Sequence, residues 1–385
     1  MSDNRLKYIE IMSQSEVIRF INKQYHMDIS EFSRVSKLSD IRKDSSYFWS
    51  SILVIDDGSS KYLLKEILNP KVNIDKQGYA AKFDVLKHLN ENDVPVLLPA
   101  RAANGNYYTQ LYAPEGSVSK QNPGGSHFVE LSKFYDEDDK WSGAEKTISQ
   151  IGSAVGKITS KLSTLDASVR DAVLSRPKIW QDFTNPETGE DFSDELERYQ
   201  SFKSEIPNKI PGELGEIIVK ILEPTQREYL RFKSSGNVNS ETGISHGDIQ
   251  HFNMLVNKKT DDLHYIIDWD TMSKNFKTHD FAYTIDRAQL PNSEKDSDFD
   301  KVYNTVHLKR ADIFASHFYK QYNLSHAQEK VAFTALIDYT LMNVCGILRD
   351  TFKKDSFVHP DYAFFLKLLN VNRMRNLEKE LFDIP

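Results

Sequence analysis

The sequence predicts an α+β chain in two parts, a small β-rich first lobe and a larger, mainly helical second one. Three observations predict it. Two strand-like runs, Tyr47–Ile55 and Lys61–Ile67, flank the turn Asp56-Asp57-Gly58, the pattern of a hairpin rich in β-branched and aromatic residues. Further on, Ile148, Ile151, Val155, Ile158 and Leu162 recur at three- and four-residue steps, the apolar stripe of a packed helix. The chain has 385 residues, too long for one small domain and suited to two lobes. The boundary is expected near residue 113, giving 1–113 and 114–385.

In the first lobe, Val17, Ile18, Ile21 and Tyr25 have helical spacing, so residues 13 to 25 are expected to form a helix before the hairpin. A second helix is expected at about Tyr79 to Leu89, an entry to later strands at Val94-Pro95-Val96, and a strand at Tyr107 to Tyr112 running into Ala113-Pro114-Glu115-Gly116. In the second lobe, residues 117 to 143 are rich in Gly, Ser and Pro and then acidic, with Asp136-Glu137-Asp138-Asp139 read as a solvated loop. Prolines break up residues 176 to 212, and residues 213 to 233 read as a helix. Three helical segments close the chain, at about 299 to 322, 326 to 352 and 361 to 382. Ser325 with Gln328 fits a capping box for the middle one, and Pro360 stands where the last should begin.

Composition excludes several classes. A net charge of −7 argues against a nucleic-acid or anionic-membrane surface. The single cysteine, Cys345, rules out an intrachain disulfide and a cysteine-based zinc site. The first residues lack the apolar core of a signal peptide, and no apolar run is long enough to span a bilayer. A cytoplasmic location is the expectation. The sequence carries no signal of oligomeric state.

The most informative stretch is residues 244 to 271. Met254–Val256 and Tyr265–Ile267 are short apolar runs around a polar turn, a tight β-hairpin. Asp248 and Asn253 precede its first strand and Asp268 follows its second, so the hairpin can bring three oxygen-bearing side chains together. Carboxylate and amide oxygens converging on a loop suit a Mg²⁺ ion that bridges phosphates. A further carboxylate near a substrate hydroxyl is what phosphoryl transfer adds.

His246-Gly247-Asp248, with Asn253 five residues after the aspartate and then Ile267-Asp268-Trp269-Asp270, resembles the signature of the aminoglycoside phosphotransferase and choline kinase group. The resemblance implies a bilobal protein-kinase-like fold and transfer of a phosphoryl group from ATP, or from GTP, to a hydroxyl of a small-molecule acceptor. Asp248 is implied as the catalytic-loop aspartate, and Asn253 and Asp268 as Mg²⁺ ligands. Lys65, in Tyr-Leu-Leu-Lys-Glu on the second hairpin strand, falls where the phosphate-contacting lysine belongs. Leu111 and Tyr112 fall where the interlobe hinge would meet the nucleotide base, or are strand core. His246 is expected to hold the loop rather than act as acid or base. Asp270 is either a further ligand or a solvated carboxylate. Asp280, in His279-Asp280-Phe281-Ala282, is expected to cap the next helix and brace the catalytic loop.

Two departures from the family pattern stand out. Ser36 to Ser46 contains no glycine, so a Gly-rich phosphate loop is missing. The helix at 79 to 89 puts Lys82 where a glutamate should pair with Lys65, and the nearest acid is Asp84. Either Asp84 takes that role through a shifted register or Lys65 is held differently. These departures leave a nucleotide-binding pseudoenzyme as the rival reading. A protein kinase is disfavoured because no activation segment is recognisable between Asp268 and His279. Asp338, Tyr339 and Asp350 are candidates for selecting the acceptor, or are surface and core.

Overall fold

A computed structural model describes residues 7–41, 50–68, 76–112, 126–135, 138–140, 144–175, 242–250, 253–287 and 308–326, with single positions at 328, 329, 332, 379 and 381. The expected helix at 213–233, the loop at 176–212, Ala113–Gly116, Cys345, Asp338, Tyr339, Asp350 and nearly all of the last two closing helices lie outside the described residues. The chain divides into two compact units, Met1–Asp138 with Ala167–Ala172, and Asp139–Asp166 with Val173–Pro385.

The first unit is built on a five-stranded antiparallel sheet in the order β1-β2-β3-β5-β4. Its strands are β1 (Arg34–Lys37), β2 (Ser50–Asp56), β3 (Lys61–Ile67), β4 (Thr109–Tyr112) and β5 (Ser126–Lys133). β5 falls in the stretch 117–143, rich in Gly, Ser and Pro, where no strand is expected from the sequence. It pairs with β3 and β4, which is why the first unit runs to Asp138 and not to residue 113. Ser36–Ser46 opens with the end of β1 and one helical turn, α3 (Leu38–Ile41). Val94–Leu98 stays in loop apart from a single bridge at Val96.

Each face of this sheet carries a helix for a reason written in its side-chain alternation. Leu53, Leu64 and Leu131 stand opposite one another in the register and pack against Ile9 of α1 (Tyr8–Ile11) and Val17, Ile18, Ile21 and Tyr25 of α2 (Gln14–Tyr25). α2 starts at Ser13 with a capping box, Ser13 N–H donating to Glu16 Oε2 at 2.7 Å. The residues one step along, Ile52, Lys65 and Glu130, share the other face. There α4 (Lys76–Asn90) lays Tyr79 flat on Phe128, ring centroids 4.3 Å apart.

In the second unit α5 (Glu145–Leu162) bears the predicted apolar stripe, with Ile148, Ile151, Val155 and Ile158 all buried. Asp138–Lys140 form a short strand, β6, so the acidic run ends in sheet rather than loop. α6 (Ala167–Leu174) follows in sequence, its residues Ala167–Ala172 belonging to the first unit. β8 (Met254–Asn257) and β9 (Leu263–Ile266) make the predicted hairpin. Two further strands, β7 (Thr242–Ser245) and β10 (Ser273–Phe276), pair antiparallel on either side of it in sequence. α7 (His279–Arg287) and α8 (Leu308–Tyr319) complete the described helices. The capping box at Ser325 is present, Ser325 N–H donating to Gln328 Oε1 at 2.9 Å and Gln328 N–H to Ser325 Oγ at 3.2 Å. Among the described residues no helix is long and apolar enough to cross a membrane.

α5 holds this unit together at both of its sides. Toward the hairpin turn, Lys146 Nζ donates to the Thr260 carbonyl at 2.8 Å and Thr147 Oγ1 to the Asp261 carbonyl at 2.7 Å, while Gln150 accepts the Leu263 N–H at 2.7 Å. Toward α8, Gly152 lets the helices touch backbone to backbone. A Cβ there would stand 2.4 Å from the Phe314 carbonyl oxygen, far inside contact distance. Gly152→Ala should therefore destabilise the unit by about 1–3 kcal/mol, seen as a lowered melting temperature by calorimetry.

Candidate active site

The second unit brings together the loop between β7 and β8, the end of the hairpin, and the first two turns of α7. The loop turns at Gly247, whose φ of 88° is open to glycine at no cost, and where a Cβ would come 3.2 Å from the Thr271 carbonyl oxygen. Asp280 lies buried behind this turn. Its carboxylate accepts His246 N–H at 2.8 Å on one oxygen and Gly247 N–H at 2.9 Å on the other. Burial pushes the Asp280 carboxyl up to about 6, against the pull of these two donors and with the neighbouring Asp248 charge adding to the rise. The bracing expected of Asp280 is present, and Asp280 stands inside α7 as its second residue rather than at the cap position expected of it.

His246 has no exposed surface and holds the loop to the hairpin. Its Nδ1 accepts Asp248 N–H at 3.2 Å and its Nε2 donates to the Ile267 carbonyl at 3.0 Å, so the ring is the neutral Nε2–H tautomer. Burial lowers its pKa to about 4. Thr271 Oγ1 donates to the His246 carbonyl at 2.8 Å.

Asp248 is half-buried at the tip. Gln250 Nε2 donates to its Oδ1 at 2.8 Å, Tyr283 OH to the same oxygen at 2.7 Å, and Asn253 Nδ2 to Oδ2 at 2.8 Å. Asn253 also donates to the Asp248 carbonyl at 2.9 Å. With its amide nitrogen spent in this way, Asn253 presents Oδ1 as its other end. The Ile267 N–H donates to the Asn253 carbonyl at 2.9 Å, so Asp268 follows directly on a residue bonded to Asn253. Asp268 is exposed and sits in the left-handed region at φ 65°, ψ 54°, a backbone kink that ends the strand. Hairpin pairing thus joins Asn253 to Asp248 through its side chain and to Ile267, the residue before Asp268, through its backbone. Asp270 is half-buried in the short 3₁₀ turn Trp269–Thr271 that follows.

An amide oxygen and a carboxylate are hard oxygen donors, the set that a Mg²⁺ ion takes when phosphates and water complete its shell. Among the described residues no group of three His, Cys, Asp or Glu side chains could hold a metal by itself.

The first unit carries the other candidates. Lys65 is half-buried on β3, opposite Glu130 of β5. Lys82 of α4 points inward and meets Glu130 Oε1 at 2.5 Å, with Tyr79 OH bonded to the same oxygen. The Lys82 ammonium also stands 4.4 Å from the Tyr79 ring centre and 4.5 Å from that of Phe83. Asp84 is exposed, so no shift of register places it inside. The helix supplies the ammonium and the strand the acid, the reverse of the expected arrangement. Glu130 was missed because it sits in the overlooked strand.

Leu111 and Tyr112 lie on β4, at the sheet edge, and border an open pocket of about 560 Å³ with Phe20, Lys76, Tyr108 and Phe128. They are not on the link between the units, because the chain leaves the first unit at Asp138, after β5. The hinge expectation at 111–112 followed from placing the last strand of the sheet one strand too early.

Tyr283, Gln250 and Thr284 were not singled out from sequence. The signal was present in His279, Asp280, Tyr283 and Thr284, which recur at helical spacing between the fully buried Phe281, Ala282 and Ile285. A polar stripe on a helix with no exposed face implies bonds to something inside.

A family model described as phosphotransferase enzyme family, APH, matches residues 49–298. None of the curated protein sequences matches the chain. Among solved structures, the chain is similar to a spectinomycin phosphotransferase in complex with ADP and spectinomycin, with TM-score 0.59 and 13% identity over 96% of this chain and 99% of that one. It is similar also to an amicoumacin kinase in complex with AMP-PNP and Ca²⁺, with TM-score 0.54 and 12% identity over 97% and 96%. A microcompartment-associated aminopropanol kinase gives TM-score 0.52 and 14% identity over 96% and 98%. At such identities the likeness is one of fold, and the fold is the α+β, kinase-like one.

The His246 tautomer makes a pH prediction. Its folded pKa of about 4 lies below the ordinary histidine value of 6.5, so the stability it contributes is present above about pH 6.5 and lost as pH falls toward 4. Protonation of Nδ1 would expel the Asp248 N–H. Wild type should lose melting temperature over that window, and His246→Asn should lose less of it over the same window.

Proposed function

Since the chain belongs to the phosphotransferase enzyme family, we propose that it transfers the terminal phosphoryl group of ATP, or of GTP, to a hydroxyl of a small molecule. Sugars, amino alcohols, amino acids and aminoglycosides are the acceptor classes in view. The observation that carries the reading is the Asp248 carboxylate, held by donors on both oxygens, Asn253 among them. The nucleotides in the complexes of the spectinomycin and amicoumacin enzymes support the choice of donor.

In this reading Asp248 orients the acceptor hydroxyl and takes its proton late in a loose transition state. The acceptor oxygen bonds to the terminal phosphorus as the bridging P–O bond breaks, and the nucleoside diphosphate leaves. Asn253 and Asp268 would hold a divalent ion, which when bound supplies positive charge against the phosphates. The Lys65 ammonium supplies more of the same from β3. Catalysis of this kind is positioning and electrostatics, so few residues suffice.

A second reading, a nucleotide-binding module without turnover, is favoured because the one acid of α4, Asp84, is exposed and because Ser36–Ser46 contains no glycine. An ADP-release screen over the four acceptor classes separates the two: release with any acceptor supports the kinase, and binding of Mg-ATP without release supports the module. Asp248→Asn should abolish turnover, a loss of at least about 10²-fold, while nucleotide still binds; wild-type rates from that variant would sink the assignment. Asp268→Ala should instead weaken the thermal shift produced by Mg-ATP.

A further inference from the structure

Four side chains of α7 meet four consecutive residues of the loop. Asp280 accepts from His246 and Gly247, His279 Nε2 donates to the Gly247 carbonyl at 3.2 Å, and Thr284 Oγ1 donates to the Ile249 carbonyl at 3.2 Å. These three hold backbone. Tyr283 differs in donating to a side chain, the Asp248 carboxylate, at 2.7 Å and from 35 residues away.

Packing does not account for that hydroxyl. Phe281 packs α7 against α8, its ring 4.6 Å from Phe318 and 5.8 Å from Phe314. The Tyr283 ring is 2% exposed and lies against His279 at 5.6 Å and 15°, a place a phenylalanine would fill equally well. What the oxygen adds is a bond to Asp248. Gln250 and Asn253, the other donors to that carboxylate, sit on the same loop and travel with it. Tyr283 donates from a helix whose position is set by its own packing.

We propose that Tyr283 is a positioning residue for phosphoryl transfer, fixing the plane of the Asp248 carboxylate from outside the loop that carries it. The inference rests on Asp248 being the group that meets the acceptor hydroxyl. A base must be held within about 0.5 Å and 10–20° of the productive geometry, and a carboxylate on a loop keeps two torsions that the loop backbone does not set. Tyr283 removes that freedom on Oδ1. It keeps its own proton throughout; the acceptor proton passes to Asp248.

The test is Tyr283→Phe, which deletes one oxygen. ADP release is followed with an acceptor from the screen, or as slow hydrolysis of ATP by water. The expected result is a fall in kcat of about 5- to 30-fold, with KM for ATP, melting temperature and the Mg-ATP thermal shift unchanged. Wild-type kcat would overturn the proposal. So would a fall in kcat accompanied by loss of the nucleotide thermal shift, which is what a merely structural role predicts. Gln250→Ala keeps the question decidable should the phenylalanine variant not fold. With the helix-borne donor in place its kcat should drop by no more than about threefold, and a collapse to the Asp248→Asn level would overturn the proposal. An active Asp248→Asn would sink the underlying reading of Asp248; an inert one beside a fully active Tyr283→Phe sinks the Tyr283 inference alone.

Discussion

The second unit depends on one buried carboxylate. Asp280 accepts two successive backbone N–H groups of the loop, and no other geometry at residues 246 and 247 would offer both to one side chain. Without it two buried donors would go unsatisfied, at about 1–3 kcal/mol each. The turn at Gly247, the inward His246 ring and the outward Asp248 side chain all follow from that anchoring. The desolvation of Asp280 works against it and is only partly offset by the bonds it accepts. His246 then links the same loop to Ile267, so one residue of the hairpin end is tied both to the loop and to Asn253.

The first unit uses buried charge differently. Neighbouring residues of β3 point to opposite faces, and each face of the sheet has its own buried glutamate. On one, Glu66 accepts the Tyr8 N–H at 2.9 Å and the Ile9 N–H at 3.2 Å and pairs with His127 Nδ1 at 2.6 Å. On the other, Glu130 takes Lys82 and Tyr79. Buried pairs of this kind add little net stability over apolar packing, but removing one member is costly. They specify which helix lies on which face. The Lys82–Glu130 pair fastens α4 to the sheet with an acid donated by the strand, which answers in physical terms how a helix without an inward acid is held beside Lys65.

Much of this was legible in the sequence, and the rest fails for identifiable reasons. The hairpin, the α5 stripe, the α2 helix and the Ser325 capping box follow from periodicity and local chemistry, which act over a few residues. Asp248, Asn253 and Asp268 could be grouped because a hairpin of known length connects them. β5 was lost because Ser126–Leu131 is buried on both faces and carries His127 and Glu130, so it has neither the alternation of a half-exposed strand nor the apolar run of a buried one. Losing it moved the expected boundary to 113 and the expected hinge to Leu111 and Tyr112. Tyr283 was lost for another reason: its partner is 35 residues away, and no local rule links a helix position to a loop carboxylate at that separation.

The contact between α5 and α8 has a mechanical consequence. At Gly152 and Gly156 a Cβ would stand 2.4 Å and 2.7 Å from carbonyl oxygens of α8, so at these two points main chain rests on main chain. Sliding of packed helices past one another relies on side chains that can swap rotamers to absorb the displacement. Here that lubricant is missing. The two helices, and the hairpin turn that α5 grips, therefore behave as a single stiff block, and any movement that admits or releases a ligand must hinge around this block rather than run through it.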